Sequence, residues 1–363
     1  MADSILVTGG AGYIGSHTCV ELLQAGFQVV VLDNFCNSHP DAIERVRFLA
    51  PGQLTLVRGD VRHRDTLWQL FTDHKIDAVI HFAGLKAVGE SVAKPLLYYE
   101  TNLVGSLLLA DVMQQFGVFR LVFSSSATVY GDPEAVPVPE TARLAPESPY
   151  GRSKTMVEGA LRDLAISDAR WRIALLRYFN PVGAHPSGEI GEDPNGLPNN
   201  LLPYVAQVAV GKLERLTIHG NDYETRDGTG ERDYIHVVDL ARGHLAALRH
   251  IDQLDGAVAI NLGRGIGSTV LEVVHAFQAA CGRVVPFHIG PRRAGDVARY
   301  FADPALSHRL LGWQAEFDIE RACVDTWRWQ AKYPNGFRDM DSANTSPNSA
   351  TRPQTCHPDP SSG

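Results

Sequence analysis

Two stretches of this chain carry residues that could move a proton between them. In Ser148-Pro149-Tyr150-Gly151-Arg152-Ser153-Lys154, the serine suits a helix N-cap and the proline the first helical position, so Tyr150 and Lys154 fall in the first turns of a helix. Four residues apart, they share one face. A phenol with a pKa of about 10 is a poor base, but a neighbouring ammonium and a helix N-terminus both favour the phenolate. Upstream, Ser124-Ser125-Ser126 closes an apolar run and offers hydroxyls. Tyr-x-x-x-Lys also arises where a tyrosine simply packs and a lysine lies across it. The catalytic reading therefore rests on the whole set.

The N-terminal end supplies the rest of that set. Thr8-Gly9-Gly10-Ala11-Gly12-Tyr13-Ile14-Gly15 separates an apolar run from a helix-like stretch, and a second run ends in Asp33, 18 positions after Gly15. Gly9, Gly12 and Gly15 permit a tight turn and close approach to a pyrophosphate, while the helix N-terminus provides amide donors. Asp33 is placed to accept from an adenosine ribose hydroxyl, which favours NAD over NADP. Asp60, in Arg58-Gly59-Asp60-Val61, reads equally as an adenine contact or an ordinary turn acid. Phe82-Ala83-Gly84-Leu85-Lys86 puts small residues and one cation where the middle of a dinucleotide would pass.

Positioning these groups requires a parallel sheet. The runs Ile5–Thr8, Gln28–Leu32, Leu54–Val57, Ala78–Phe82, Leu121–Ser124 and Ile173–Leu176 are apolar on both faces and alternate with longer amphipathic stretches. That pattern predicts an α/β fold: a Rossmann-type doubly wound parallel sheet over residues 1–180, with its site at the carboxyl ends of the strands. A returning segment near 235–263 is expected, its strand near Val258–Leu262. Residues 181–338 read as a smaller α/β substrate-binding domain, opening with an irregular Pro- and Gly-rich stretch. There Asn200 and Leu201 begin a helix, another potential phosphate cradle, and Arg232 and Arg293 are either diphosphate clamps or surface charges. Residues 92–116 and 150–166 read as helices whose apolar stripes face the sheet or pair across a two-fold axis in a homodimer. Residues 339–363 contain too little apolar surface to order themselves.

Composition narrows the partners. With 363 residues, 44% of them hydrophobic, a net charge of −8 and a pI near 5.9, the chain reads as a globular protein for small molecules, not a nucleic-acid binder. Five scattered cysteines without C-x-x-C spacing argue against a disulfide framework or a metal site. No signal-like N-terminus or long apolar run stands out, so no membrane contact and a cytoplasmic location are expected.

The sequence resembles the extended short-chain dehydrogenase/reductases, and within them the UDP-glucose 4-epimerase family, from about Ile5 to about Phe337. The resemblance is carried by Val7–His17, by His81-Phe82-Ala83-Gly84-Leu85-Lys86-Ala87-Val88-Gly89-Glu90-Ser91, by Ser124–Gly131, by Leu176–His185, and by Arg232-Asp233-Tyr234-Ile235-His236-Val237. It implies that Ser126, Tyr150 and Lys154 form the catalytic set. It implies NAD contacts from Tyr13, Ile14, Asp33, Asn34, Phe35, Cys36, Asn37, Ser38, Asp60, Val61, Phe82, Ala83, Gly84, Leu85, Lys86, Asn102, Ser124 and Phe179. UDP-hexose contacts would come from Lys86, Ser126, Tyr150, Tyr178, Asn180, Asn200, Leu201, Arg232, Arg293, Asp296 and Tyr300. Thr101 stands where some members have Asn, and His219 where some have an aromatic residue.

The activity so implied interconverts UDP-galactose and UDP-glucose in galactose metabolism. Tyr150 takes the proton of the hexose 4-hydroxyl as C4 gives hydride to a permanently bound NAD, the 4-ketose turns, and hydride returns to its other face. A nucleotide-sugar 4,6-dehydratase shares the fold, but its pattern has Thr-Asp-Glu where this chain has Ser126-Ala127-Thr128. Another nucleotide-sugar epimerase, or a non-enzymatic dinucleotide sensor, stays open as an alternative.

Overall fold

A computed structural model describes residues 3–194, 196–198, 200–293 and 295–339 of the chain. The expected disordered tail, apart from its first residue, lies outside them.

Alternation along each strand splits the apolar residues between two cores. Ile5, Val7, Val29, Val31 and Ile80 point into one; Leu6, Val30, Leu32 and Val79 point into the other. A strand buried on both faces has no polar side, which is why these runs read as continuously apolar. The strands are β1 (Ser4–Thr8), β2 (Gln28–Asp33), β3 (Leu54–Arg58), β4 (Ala78–His81), β5 (Arg120–Ser124), β6 (Arg172–Tyr178), β7 (Asn180–Val182), β8 (Leu216–His219), β9 (Glu231–His236), β10 (Gly256–Leu262), β11 (Gly267–Thr269), β12 (Phe287–Gly290) and β13 (Arg299–Tyr300). Seven of them form one parallel sheet in the order β10-β6-β5-β4-β1-β2-β3. The order reverses between β1 and β4, so a crevice opens there at the carboxyl ends.

The helices are α1 (Tyr13–Gln24), α2 (Asp41–Leu49), α3 (Arg64–Asp73), α4 (Val88–Ala93), α5 (Pro95–Tyr98), α6 (Gly105–Gln115), α7 (Pro149–Ser167), α8 (Leu201–Ala209), α9 (Val237–Arg249), α10 (Val270–Cys281), α11 (Ala305–Leu311) and α12 (Ile319–Lys332). Helices α1, α2 and α9 cover one face of the large sheet. Helices α3, α6 and α7 cover the other. Each fully buried Leu, Ile or Val contributes about 1.5–3 kcal/mol, and truncating one to Ala costs about 2–5 kcal/mol.

One expected helix is not continuous. Residues 92–116 divide into the end of α4, then α5, a π-helical turn over Tyr99–Val104, and α6. Pro95 is the cause of the first break, because it has no N–H to bond backwards and instead starts α5 as its first residue.

A smaller unit sits over the carboxyl ends. Strand β9 pairs with β11, β13 and β7, β12 pairs with β8, and α8, α10 and α12 pack around a third core that includes Val205, Val273, Phe277 and Cys323. Among the described residues, no helix is long and apolar enough to cross a membrane.

Candidate active site

The glycine loop is shaped by two close approaches. Gly9 has φ +71, and a Cβ there would lie 2.7 Å from the Ala83 nitrogen; a Cβ on Gly15 would lie 2.3 Å from the Gly9 oxygen. Only glycine lets the loop fold this tightly against β4 and leave the α1 N-terminus open. Asp33 ties the loop to the next one, accepting from Ala11 N at 2.9 Å, Phe35 N at 2.9 Å and the Ser38 hydroxyl at 2.7 Å. Burial raises its pKa, and these three bonds oppose the shift.

Asp60 is held differently. Burial would raise its pKa, but bonds from Arg62 and Asn34 outweigh that and pull it down to about 2. It is thus both a turn acid and a wall of the crevice.

One cleft at the switch point joins this end to the tyrosine and lysine. Its lining includes Gly9, Gly12, Tyr13, Ile14, Gly15, Asp33, Asn34, Cys36, Asn37, Ser38, Asp60, Val61, Phe82, Ala83, Gly84, Leu85, Lys86, Ser124, Tyr150, Lys154 and Tyr178. Phe35, Asn102 and Phe179, also expected against the cofactor, have side-chain partners within the chain. Phe35, at φ 60, has its ring beside the Arg58 guanidinium. Phe179 packs on Tyr300 with ring centroids 5.3 Å apart. Asn102 spends its amide on the Leu85 backbone, at 2.8 and 3.0 Å, and on the Ser153 hydroxyl at 3.1 Å.

Its neighbour Thr101 lines the cleft, with a buried hydroxyl that has no partner within the chain. Thr101, the position at which some members of the resembled family have Asn, lies in the π-helical turn over Tyr99–Val104. The lining also includes Glu192, Asp193, Phe337 and Arg338, from segments with no readable periodicity.

At the other end, helix α7 starts as its sequence predicts: Ser148 accepts from Gly151 N at 3.1 Å and Pro149 is the first helical residue. Tyr150, Lys154 and Ser126 are all buried. Lys154 donates to the Ser124 carbonyl at 2.8 Å and lies 4.9 Å from the Phe123 ring centre. Burial lowers its pKa to about 8, against the pull of Glu158. Burial raises the pKa of Tyr150, while a hydrogen bond with Ser126 works the other way. The expectation of a lowered phenol pKa is therefore corrected for the chain alone. Desolvation exceeds what the Ser126 contact restores.

Of the residues expected to hold a UDP-hexose, Lys86, Tyr150 and Tyr178 are in that lining, Ser126 follows β5, and the others lie on the smaller unit. Strand register puts Tyr300 opposite Arg232, and Asn180 opposite Tyr234. Tyr300 donates to the Ala127 carbonyl at 2.5 Å, next to Ser126, and Tyr178 bonds Ser124 through its hydroxyl. Arg232 donates to Asp296 at 3.1 Å, which occupies one edge of its fork. Asn200 and Lys86 both donate to Glu192, at 2.9 and 2.8 Å, linking the two units across the cleft. Leu201 opens α8, and Arg293 is exposed on the turn that Asp296 closes with an N–H bond to its carbonyl at 3.2 Å.

Residues 5–263 match the model of the NAD dependent epimerase/dehydratase family. The chain belongs to that family. Within this family it is 57% identical to the UDP-glucose 4-epimerase of Bacillus subtilis over 338 residues, 93% of this chain and 100% of that one. It is similar to the UDP-glucose 4-epimerase of Bifidobacterium longum, crystallised with NAD+ and UDP, at 51% identity and TM-score 0.89, covering 92% of this chain and 100% of that one. A Stenotrophomonas maltophila UDP-glucose-4-epimerase with bound NAD and formylated UDP-arabinopyranose is 50% identical at TM-score 0.89, with 94% and 100% covered. Membership of this family fits a cleft that holds a Tyr/Lys pair, and the chain has Ala127 and Thr128, not acids, after Ser126.

Proposed function

We propose that this chain is an NAD-dependent epimerase interconverting UDP-galactose and UDP-glucose at C4, with Tyr150 as acid and base. The observation that carries the reading is one cleft with a glycine loop, Asp33 and Asp60 at one end and Tyr150 and Lys154 at the other. NAD held there supplies the reversible hydride acceptor that inversion at a hydroxyl-bearing carbon requires when nothing is oxidised overall. The loop amides and the α1 N-terminus would hold its diphosphate, Asp33 and Asp60 its adenosine end, and Lys154 and the orphan Thr101 hydroxyl its ribose side.

Tyr150 takes the proton of the 4-hydroxyl and later returns one to the same oxygen, which Ser126 holds by a hydrogen bond. It is protonated in the chain alone and becomes a usable base when positive charge enters the cleft with the cofactor. Arg232 and Arg293 bind the diphosphate of the substrate, and Tyr178, Asn180, Asn200, Leu201, Asp296 and Tyr300 surround its uridine and hexose. The molecule works as a homodimer built on α4 to α7.

The decisive experiment incubates purified protein with UDP-galactose and no added NAD. UDP-glucose should form and NAD should be recovered in the protein. A continuous demand for NAD with accumulating NADH makes the protein an ordinary dehydrogenase. Tyr150→Phe should lower kcat by roughly 10²–10⁴-fold and leave the Kd for UDP within about twofold of wild type. Wild-type turnover in that variant removes Tyr150 from the role.

A further inference from the structure

Three successive turns of α7 meet three successive serines. Tyr150 faces Ser126, Lys154 donates to the Ser124 carbonyl, and one turn further Glu158 accepts from the Ser125 hydroxyl at 2.6 Å. The first two contacts belong to the reacting end of the cleft. Ser125 is fully buried and absent from the cleft lining.

Glu158 is 1% exposed, and so is Arg177 of β6, which grips it with Nε at 2.9 Å and Nη2 at 2.5 Å. Arg177 is anchored in turn, donating to the Tyr130 hydroxyl and the Glu140 carbonyl, each at 3.1 Å. The Tyr130 hydroxyl donates in turn to Asn261 Oδ1 of β10 at 2.7 Å. The carboxylate is thus fixed from the sheet side, and the hydroxyl it holds lies between the two residues that touch the proposed acid–base group and its lysine.

A buried ion pair is weak evidence of a stabilising role, because desolvating each partner costs several kcal/mol and a packed apolar pair would join α7 to β6 as well. What an apolar pair lacks is direction. Hydrophobic contact is indifferent to orientation, whereas a hydrogen bond fixes its two heavy atoms within a few tenths of an ångström and a narrow angle. Here the bond spans from the helix that carries Tyr150 to the strand end that carries Ser126.

We propose that Ser125 and Glu158 are positioning residues for the epimerisation: Glu158, held by Arg177, takes the Ser125 hydroxyl and so sets the spacing between Ser126 and Tyr150. The proposal rests on the assignment of Ser126, Tyr150 and Lys154 to the chemistry. A small misplacement of such groups slows a reaction far more than it weakens binding.

The test is Ser125→Ala, which leaves the Glu158–Arg177 pair in place, together with Ser125→Thr, which keeps the donor. For the alanine variant kcat should fall by about tenfold or more, with the KM for UDP-galactose and the NAD content of the purified protein within about twofold of wild type. The threonine variant should recover most of the lost kcat. An alanine variant with kcat within about threefold of wild type overturns the proposal. So does one that loses kcat, KM and NAD together, or a threonine variant no better than alanine, since either result makes Ser125 a packing residue. Tyr150→Phe in the same assay separates the two readings: if it retains turnover, the site assignment fails whatever Ser125 does.

Discussion

Lys154 and Tyr150 are each pushed toward the neutral form, and for the lysine this has a measurable consequence. Burial brings its pKa to about 8 in the folded chain, against an ordinary value of about 10.4 in an unfolded one. Between those values the unfolded chain keeps a proton that the folded chain has released, so stability rises with pH. Below the window both states hold the proton and the cost of burying the ammonium is at its full size. Comparing urea unfolding of NAD-free wild type with Lys154→Met should therefore show a difference that moves in favour of wild type by about 1.4 kcal/mol per pH unit from pH 8 to 10. A difference that is flat with pH contradicts the burial argument. Tyr300 yields a second prediction at this scale. Its hydroxyl bonds the Ala127 carbonyl and its ring rests on Phe179, so swinging it aside for a bulkier sugar would break both contacts. Wild type should prefer UDP-glucose and UDP-galactose to their N-acetylated counterparts, and Tyr300→Ser should narrow the ratio of kcat/KM by about tenfold or more. Equal use of both pairs by wild type rules Tyr300 out as a gate.

At the scale of elements, what can be read from sequence depends on whether the signal is local and periodic. The seven-stranded sheet is legible because each strand is apolar on both faces, and the start of α7 because Ser148 and Pro149 are adjacent. Periodicity does not point to Thr101, which lies in a π-helical turn, whereas the resemblance marks it as a position where some members have Asn. Nor does periodicity point to the contact of Ser125 with Glu158, 33 residues away, or to that of Asn200 with Glu192 in an aperiodic stretch. The divided helix of residues 92–116 still leaves apolar side chains in solvent. Leu96 is 81% exposed, Val92 is 65%, and Met156 on α7 is 47%. Exposed residues of this size on adjoining helices suit a two-fold contact. Leu96→Glu with Met156→Lys should therefore give monomers by light scattering at micromolar concentration, where wild type should give dimers. A monomeric wild type ends the dimer proposal.

Residues far apart in the chain meet around the cleft. His39, after β2, stacks on Phe337 at 6.0 Å, and Asp193 accepts from Phe337 N at 3.0 Å. Glu189 gathers Arg45 of α2 and Lys332 of α12, and accepts from the Tyr333 hydroxyl at 2.8 Å. Besides the segments after β4, β5 and the start of α7, walls of the cleft come from the first 61 residues, from the loop at 191–194 and from residues 337–338. A ligand that fills it touches parts that also meet through ion pairs, hydrogen bonds, a stacked ring and the core that Ile43 and Val46 share with Ile190, Trp329 and Phe337. Because only the folded arrangement presents all the walls together, binding stabilises the fold by RT ln(1 + [L]/Kd), about 2.7 kcal/mol at a hundredfold excess over Kd. For a chain of 363 residues, with an unfolding entropy of about 2 cal/mol/K per residue, that is a rise of a few degrees in Tm. Protein stripped of NAD should melt that much lower in calorimetry, and adding NAD back should restore the original transition. If the two units responded separately, a second transition would stay fixed as NAD is titrated, and the cleft would then belong to the N-terminal sheet alone.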